Sequence, residues 1–112
     1  MQVDIEQKQD TLLVRLGGEM DFGVADKLRK ALDNELVEKR AKNLVINLSR
    51  VTFIDSSGLG VILGRYKRLV NSGGKVILVG AQPQVHRILE LSGLVQIMEE
   101  YPDETVALAK IV

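Results

Sequence analysis

Two short, densely apolar runs constrain the fold of this chain most. Residues 44–48 and 76–79 are rich in branched apolar side chains, and each run precedes a segment with apolar residues at helical spacing. Runs of this length are typical of strands that are covered on both faces, as in a parallel sheet. Strands that alternate with helices predict an α/β layer fold with right-handed crossovers.

The remaining segments complete the predicted order of elements. Residues 3–6 alternate between apolar and polar, and residues 11–16 form an apolar run after a polar break, so we expect an antiparallel pair. A loop is predicted for residues 17–23. Helices are predicted from about 24 to 40, about 57 to 71, 83 to Gly93, and about 102 onward, with a short edge strand at 94–98. The order is ββαβαβα(β)α, in one domain (residues 1–112) with a single mixed, mostly parallel sheet.

The composition excludes several classes of function. Fifteen basic and fifteen acidic residues give a formal net charge of zero, so nothing favours nucleic acid or an anionic membrane as a partner. Cysteine is absent and histidine occurs once, so we expect no disulfide, metal site or cofactor. The N-terminal residues do not resemble a signal peptide, and no apolar run approaches the roughly 18 residues of a membrane helix. We therefore expect a cytoplasmic protein without a membrane span.

The stretch Phe-Ile-Asp-Ser-Ser-Gly-Leu-Gly at residues 53–60 is the main candidate site. It joins an apolar run to an amphipathic segment, which predicts a strand, a turn and a helix. Asp55, Ser56 and Ser57 then lie at the helix start, at the carboxyl end of a central strand where open α/β sheets place their sites. A serine there can cap the helix, and a phosphate on it would be stabilised by the helix start. Plain capping and a phosphate switch both fit this pattern.

The surroundings of the two serines favour a contact surface. Gly58 and Gly60 remove side-chain bulk and would let a partner approach closely. Apolar surface is expected near the serines from three residues: Ile54, Leu59 and Val61. The acidic loop at residues 17–23 is a second candidate, because Asp21 and Phe22 would lie at the same end of the sheet; an aspartate that only caps a helix is the plainer interpretation.

Other chemistries fit the sequence poorly. A nucleophilic serine needs a positioned general base, and His86, the one histidine, is predicted to lie on a helix surface. The Gly-x-Ser-x-Gly motif of serine hydrolases is absent. We therefore predict no catalytic residue and no enzyme activity. The basic cluster at residues 65–68 is predicted to be a solvated helix face, or the rim of a site for an acidic partner.

Residues 55–67, Asp-Ser-Ser-Gly-Leu-Gly-Val-Ile-Leu-Gly-Arg-Tyr-Lys, resemble the signature of the STAS domain, as found in bacterial anti-sigma factor antagonists. Supporting matches are Leu-Gly-Gly-Glu-Met-Asp at 16–21, the apolar run at 44–48 and Leu-Ser-Gly-Leu at 91–94. The resemblance runs over nearly the whole chain.

The resemblance implies a phosphorylation switch without enzyme activity of its own. Members of the family bind an anti-sigma factor that is also a serine kinase, and so release the sigma factor. The kinase phosphorylates one serine, which ends the binding, and a serine phosphatase restores it. The serine that aligns is Ser56, and Asp21 aligns with an acidic residue used in partner contact. The other expected contact residues are Phe22, Asp55, Ser57, Gly58, Leu59 and Gly60.

Two pathways and one further role stay open at this point. Antagonists in the sporulation pathway and in the general stress response share the serine motif. A structural STAS module of a larger sensory assembly would need no kinase at all. Phe22 and Gly23 stand where the family is expected to have polar or histidine residues.

Overall fold

The computed structural model describes residues 1–111, which form one five-stranded sheet and five helices. The strands are β1 (Gln2–Lys8), β2 (Thr11–Met20), β3 (Asn43–Ile54), β4 (Val76–Val79) and β5 (Glu99–Tyr101). The helices are α1 (Phe22–Glu38), α2 (Ser56–Asn71), α3 (Pro83–Ser92), α4 (Leu94–Ile97) and α5 (Glu104–Ile111). The predicted α/β class is confirmed.

The strands are arranged in the sheet in the same order as in the chain, so β1 and β5 form the two edges. β1 pairs with β2 in the antiparallel sense, and the other three pairings are parallel. Parallel neighbours need a crossover connection, and the helices between the strands provide it. The predicted mixed, mostly parallel sheet is therefore confirmed.

Successive residues of the central strands point to opposite faces of the sheet. On one face, Leu12, Ile46 and Leu78 belong to the larger core, to which α1, α2, α3 and α4 contribute. On the other face, Leu13 and Val45 pack in a smaller core closed by α5. Both faces of the central strands are thus removed from water, which explains their densely apolar sequence.

β2 and β3 are longer than predicted. β2 continues to Met20 through residues that we expected to form a loop, and β3 continues to Ile54. The two extensions pair with each other through register shifts on either side of Gly17 and Gly18. Gly18 has a φ of +100°, which glycine adopts at little cost. The glycine-rich composition therefore serves an irregular strand rather than a loop.

The edge strand predicted at residues 94–98 is wrong. These residues begin with the short helix α4, and the edge strand β5 follows it. Gly93 has a φ of +83°, so the chain leaves α3 there and starts a new helical turn. Leu94 and Met98 are both buried, and their spacing of four residues is that of a helix face.

Candidate functional site

The candidate residues lie where two parallel strands end side by side. Met20, the last residue of β2, and Ile54, the last residue of β3, are register partners. Asp21 and Asp55 follow these strands directly and precede α1 and α2. The backbone N–H of Asp55 donates to the carbonyl oxygen of Met20 at 3.1 Å. The fold thus brings both candidate segments to one end of the sheet.

The carboxylate of Asp55 binds the starts of both helices. Its Oδ1 accepts from the backbone N–H of Ser57 at 2.8 Å and of Gly58 at 3.1 Å. Its Oδ2 accepts from the backbone N–H of Phe22, the first residue of α1, at 3.0 Å. Asp55 is therefore the N-cap of α2, and the interpretation in which a serine caps this helix is wrong.

Asp21 precedes α1 in the equivalent position, but its side chain accepts no capping hydrogen bond. The expectation that this aspartate caps its own helix is therefore wrong. The helix start instead receives a side-chain acceptor from Asp55, which is 33 positions further along the chain. One carboxylate thus serves two helices, whose partial positive charges both favour it.

The two serines differ in their access to solvent. Ser56 is the first residue of α2 and is exposed, whereas Ser57 is half-buried. An exposed hydroxyl at this position is open to a modifying enzyme without any change of fold. The backbone N–H groups of Ser57 and Gly58 already bind Asp55, so a phosphate on Ser56 would have to compete for them.

The two glycines of the motif have different roles. Gly58 is buried, and a Cβ atom at this position would lie 2.5 Å from the carbonyl oxygen of Met20 and 2.9 Å from Cγ1 of Ile54. Gly58 therefore lets α2 pack closely against its own strands, and the expectation that it opens space for a partner is wrong. Gly60 is exposed and has no neighbour within 4 Å of such an atom. Gly60 alone of the two leaves room at the surface.

Exposed apolar surface at this end of the sheet comes from phenylalanine. Ile54 and Val61 are buried and Leu59 is half-buried against the core, so of these three residues Leu59 alone exposes apolar surface near the serines. Phe22 is 82% exposed at the start of α1, and Phe53 is 45% exposed near the end of β3. Phe22 is the most exposed large apolar side chain within residues 1–111.

A groove of about 690 Å³ lies between the first turns of α1 and α2. Its apolar lining comes from Phe22, Ala25 and Val61, and Ser57 and Gly60 contribute from α2. Asp26 and Arg29 also line the groove and form an ion pair with each other. The arrangement offers an apolar cleft with a mixed-charge rim, directly beside the exposed Ser56.

Part of the basic cluster at residues 65–68 is buried. Nε of Arg65 lies 3.1 Å from a carboxylate oxygen of Asp33 on α1, and Nη1 of Arg68 lies 3.0 Å from the same oxygen. Burial lowers the pKa of Arg65, and the charge of Asp33 opposes that change. The prediction of a solvated face is therefore wrong for Arg65, whose ion pair with Asp33 joins α2 to α1. The prediction is confirmed for Lys67, which is exposed. The signal was available, since Arg65 falls in the buried stripe between Ile62 and Leu69.

The imidazole of His86 is paired with two glutamates and with neither serine. Its Nδ1 lies 2.8 Å from the Glu100 carboxylate and its Nε2 lies 3.4 Å from that of Glu90. Neither serine is a partner of the imidazole, so this arrangement supplies no base to Ser56. Within residues 1–111 no group of three or more His, Cys, Asp or Glu side chains is placed to hold a metal ion. Over the same residues, no helix has the length and apolar character needed to span a membrane.

Comparison with known proteins identifies the family. The model of the STAS domain matches residues 2–108 of the chain. The chain belongs to the STAS domain family. It is 40% identical to the anti-sigma F factor antagonist of Paenibacillus polymyxa over 111 residues, which cover 99% of this chain and 95% of the relative. It is 34% identical to the anti-sigma-B factor antagonist of Listeria monocytogenes over 102 residues, which cover 88% and 89%.

Solved structures agree with this assignment to the STAS domain. The anti-sigma factor antagonist SpoIIAA in its unphosphorylated form superposes with a TM-score of 0.85 at 28% identity, over 98% of this chain and 96% of that one. The phosphorylated form of the Bacillus cell fate determinant SpoIIAA superposes with a TM-score of 0.77 at 27% identity, over 99% and 100%. The resemblance drawn from the sequence is confirmed, and the relatives are anti-sigma factor antagonists.

Proposed function

We propose that this STAS domain is a phosphorylation-switched anti-sigma factor antagonist with no enzyme activity of its own. The unphosphorylated form binds an anti-sigma factor that is also a serine kinase, and so frees a sigma factor in the cytoplasm. Phosphorylation of Ser56 ends the binding, and a serine phosphatase restores it. The observation that carries the proposal is the exposed hydroxyl of Ser56 at the first residue of α2, beside an apolar groove.

The surface proposed to bind the partner surrounds this hydroxyl. Phe22 is its most exposed apolar residue, and Ser57 and Gly60 line the groove next to it. Asp21 and Leu59 are half-buried at the same end and complete the contact. Gly58 contributes to packing and not to contact, because it is buried.

The phosphate acts on this surface through its charge. A phosphoserine carries about −1.5 to −2 charges. Because Asp55 already binds two backbone N–H groups at the start of α2, the phosphate adds its charge to that of Asp55 and is directed toward solvent or the partner. Repulsion between the phosphate and one acidic group of the partner at about 7 Å costs about 2 kcal/mol with an effective dielectric constant of about 20. Since about 1.4 kcal/mol is a tenfold change in affinity, two such pairs would turn tight binding off.

One relative favours the sigma-F pathway over the stress pathway. The sigma-F antagonist of Paenibacillus polymyxa is 40% identical to this chain over 99% of the chain, against 34% over 88% for the sigma-B relative, whereas the sigma-F antagonist of Lysinibacillus sphaericus is 30% identical over 77%. We therefore propose an anti-sigma F factor as the partner, and with it a role in sporulation. Binding to purified anti-sigma F and anti-sigma-B factors of those two organisms, measured side by side, decides between the pathways.

The switch is tested with the anti-sigma factor that the wild-type chain binds. Incubated with it and ATP, the wild-type chain should gain one phosphate on Ser56, as mapped by mass spectrometry, and dissociate. Ser56→Ala should stay bound in ATP, and Ser56→Asp should bind at least about tenfold more weakly. Ser57→Ala is the matched control: it should still gain the phosphate on Ser56 and dissociate in ATP. The expected melting temperature of all three variants is close to that of wild type.

Three results would contradict the proposal. Phosphate on Ser57 instead of Ser56 would move the switch to the neighbouring residue. Equal affinity of Ser56→Asp and wild type would remove the charge mechanism. Labelling of the purified chain by a fluorophosphonate probe would point to a serine hydrolase instead.

A further inference from the structure

The start of α1 depends on a side chain from another part of the chain. The first N–H groups of a helix have no partner within the helix. At α1 the first of them, on Phe22, donates to Oδ2 of Asp55 at 3.0 Å. Asp21, which precedes the helix, offers no side-chain acceptor. Among side chains, the position of Phe22 is therefore governed by Asp55.

The same carboxylate governs the start of the helix that carries Ser56. Oδ1 of Asp55 accepts from the backbone N–H groups of Ser57 and Gly58, so Ser56 lies between the capping residue and the two residues whose N–H groups it binds. The two oxygens of one carboxylate thus join the start of α1 to the start of α2, in addition to the backbone hydrogen bond from Asp55 to Met20. Loss of either oxygen as an acceptor would remove this side-chain link between the two helix starts, while the pairing of β2 with β3 remains.

We propose that Asp55 is a positioning residue, which holds the exposed Phe22 beside Ser56 so that both meet the partner together. This inference rests on the proposed function, because the surface concerned is the one assigned to the anti-sigma factor. Phe22 is then the apolar anchor of that surface, since large aromatic side chains dominate the affinity of many interfaces. The partner is expected to present an apolar pocket to Phe22, and Asp55 to act through Phe22 rather than by touching the partner.

Asparagine at position 55 separates the two roles of the carboxylate. Asparagine caps helices as well as aspartate does, so its single amide oxygen can still accept from Ser57 and Gly58. Its amide nitrogen is a donor and cannot accept from the N–H of Phe22. Asp55→Asn therefore keeps the cap of α2 and loses the link to α1. Asp21→Asn is the matched control, because it makes the same change where no capping bond exists.

The first readout uses the free protein and needs no partner. Amide hydrogen exchange at Phe22 should become about tenfold faster in Asp55→Asn, because local opening no longer breaks a hydrogen bond there. Exchange at Ser57 and Gly58 should stay near the wild-type rate, and Asp21→Asn should leave all three amides unchanged. If Asp55→Asn does not fold, Asp55→Ser replaces it, since serine also caps α2 but is too short to reach Phe22.

The second readout is a double-mutant cycle on affinity for the anti-sigma factor that the wild-type chain binds. Asp55→Asn and Phe22→Ala should each weaken binding by about tenfold, and the double variant should bind no more weakly than Phe22→Ala alone. Additive losses would overturn the proposal, because Asp55 would then act on the partner directly. Unchanged exchange at Phe22 would also overturn it. Failure of the wild-type chain to bind any anti-sigma factor would count against the proposed function instead, and the exchange data would still decide the positioning role.

Discussion

The two strand-to-helix junctions at the Ser56 end of the sheet use the same residue types in different ways. Each has a buried apolar residue followed by aspartate, Met20-Asp21 in one and Ile54-Asp55 in the other. Asp55 caps its own helix and binds the start of the neighbouring one, whereas the side chain of Asp21 caps neither. A local motif therefore predicts that a helix begins, but the placement of the adjacent strand decides which side chain receives its N–H groups.

The crowding at the second junction gives the largest expected effect on stability. Gly58→Ala would place a Cβ atom 2.5 Å from the Met20 carbonyl oxygen, and the packed strands leave little room to relax. We expect a loss of about 2–3 kcal/mol in the free energy of unfolding, measured with urea. Gly60→Ala is the control in the same helix, and should raise stability by up to about 1 kcal/mol because its neighbourhood is open and alanine favours helix. Equal midpoints for the two variants would show that the crowding is relieved at no cost.

The unequal capping of the two helices gives the next largest effect. Asp55→Ala removes the acceptor of three backbone N–H groups, and we expect a loss of about 1–2 kcal/mol. Asp21→Ala removes no side-chain cap, and should stay within about 0.5 kcal/mol of wild type. Thermal unfolding of both variants under one condition measures the difference. A larger loss for Asp21→Ala than for Asp55→Ala would contradict the assignment of the capping role to Asp55.

The smallest effect lies outside both junctions, on the face of the sheet covered by α5. Nε of Arg15 lies 2.9 Å from the Glu104 carboxylate, and this hydrogen bond holds the pKa of Glu104 below its ordinary value of 4.5. The resulting stability is present above that ordinary value, and is lost as the pH falls through the lower pKa of the folded state. Because the pair is partly exposed, we expect a contribution of about 1 kcal/mol or less.

Glu104→Gln tests this contribution by urea unfolding between neutral pH and pH about 3. The variant should be slightly less stable than wild type at neutral pH, and the two should converge in acid. Binding of the anti-sigma factor should not change, because Glu104 lies in α5 and not in the proposed contact surface. A constant difference between the two proteins at all pH values would exclude Glu104 as the group that titrates.

The sequence was sufficient for the architecture but not for the details of the site. The apolar pattern located the central strands and most helices, because a strand that is covered on both faces needs a continuous run of apolar residues. It failed at residues 94–98, where the apolar residues of a short helix resemble a strand, and at residues 17–20, where glycines in an irregular strand resemble a loop.

Among the site residues, too, the features set by local sequence were predictable and those set by strand pairing were not. Asp55 and Ser56 were located at the helix start because capping follows local rules. The link from Asp55 to Phe22 was not predictable, since it joins residues 33 positions apart and depends on the register of β2 against β3. The burial of Gly58 depends on the same register, so glycine alone did not reveal whether it faced a partner or its own strands.

The two edge strands bear on what the chain does when it is free of any partner. An uncovered strand edge can recruit further strands, and so lead to aggregation. β5 is only three residues long and carries Glu99 and Glu100, while β1 carries Asp4, Glu6 and Lys8. Extra strands would meet too few backbone groups at one edge and a row of charges at the other. Both features are typical of edges that do not recruit further strands, so neither edge of this sheet favours pairing between copies of the chain.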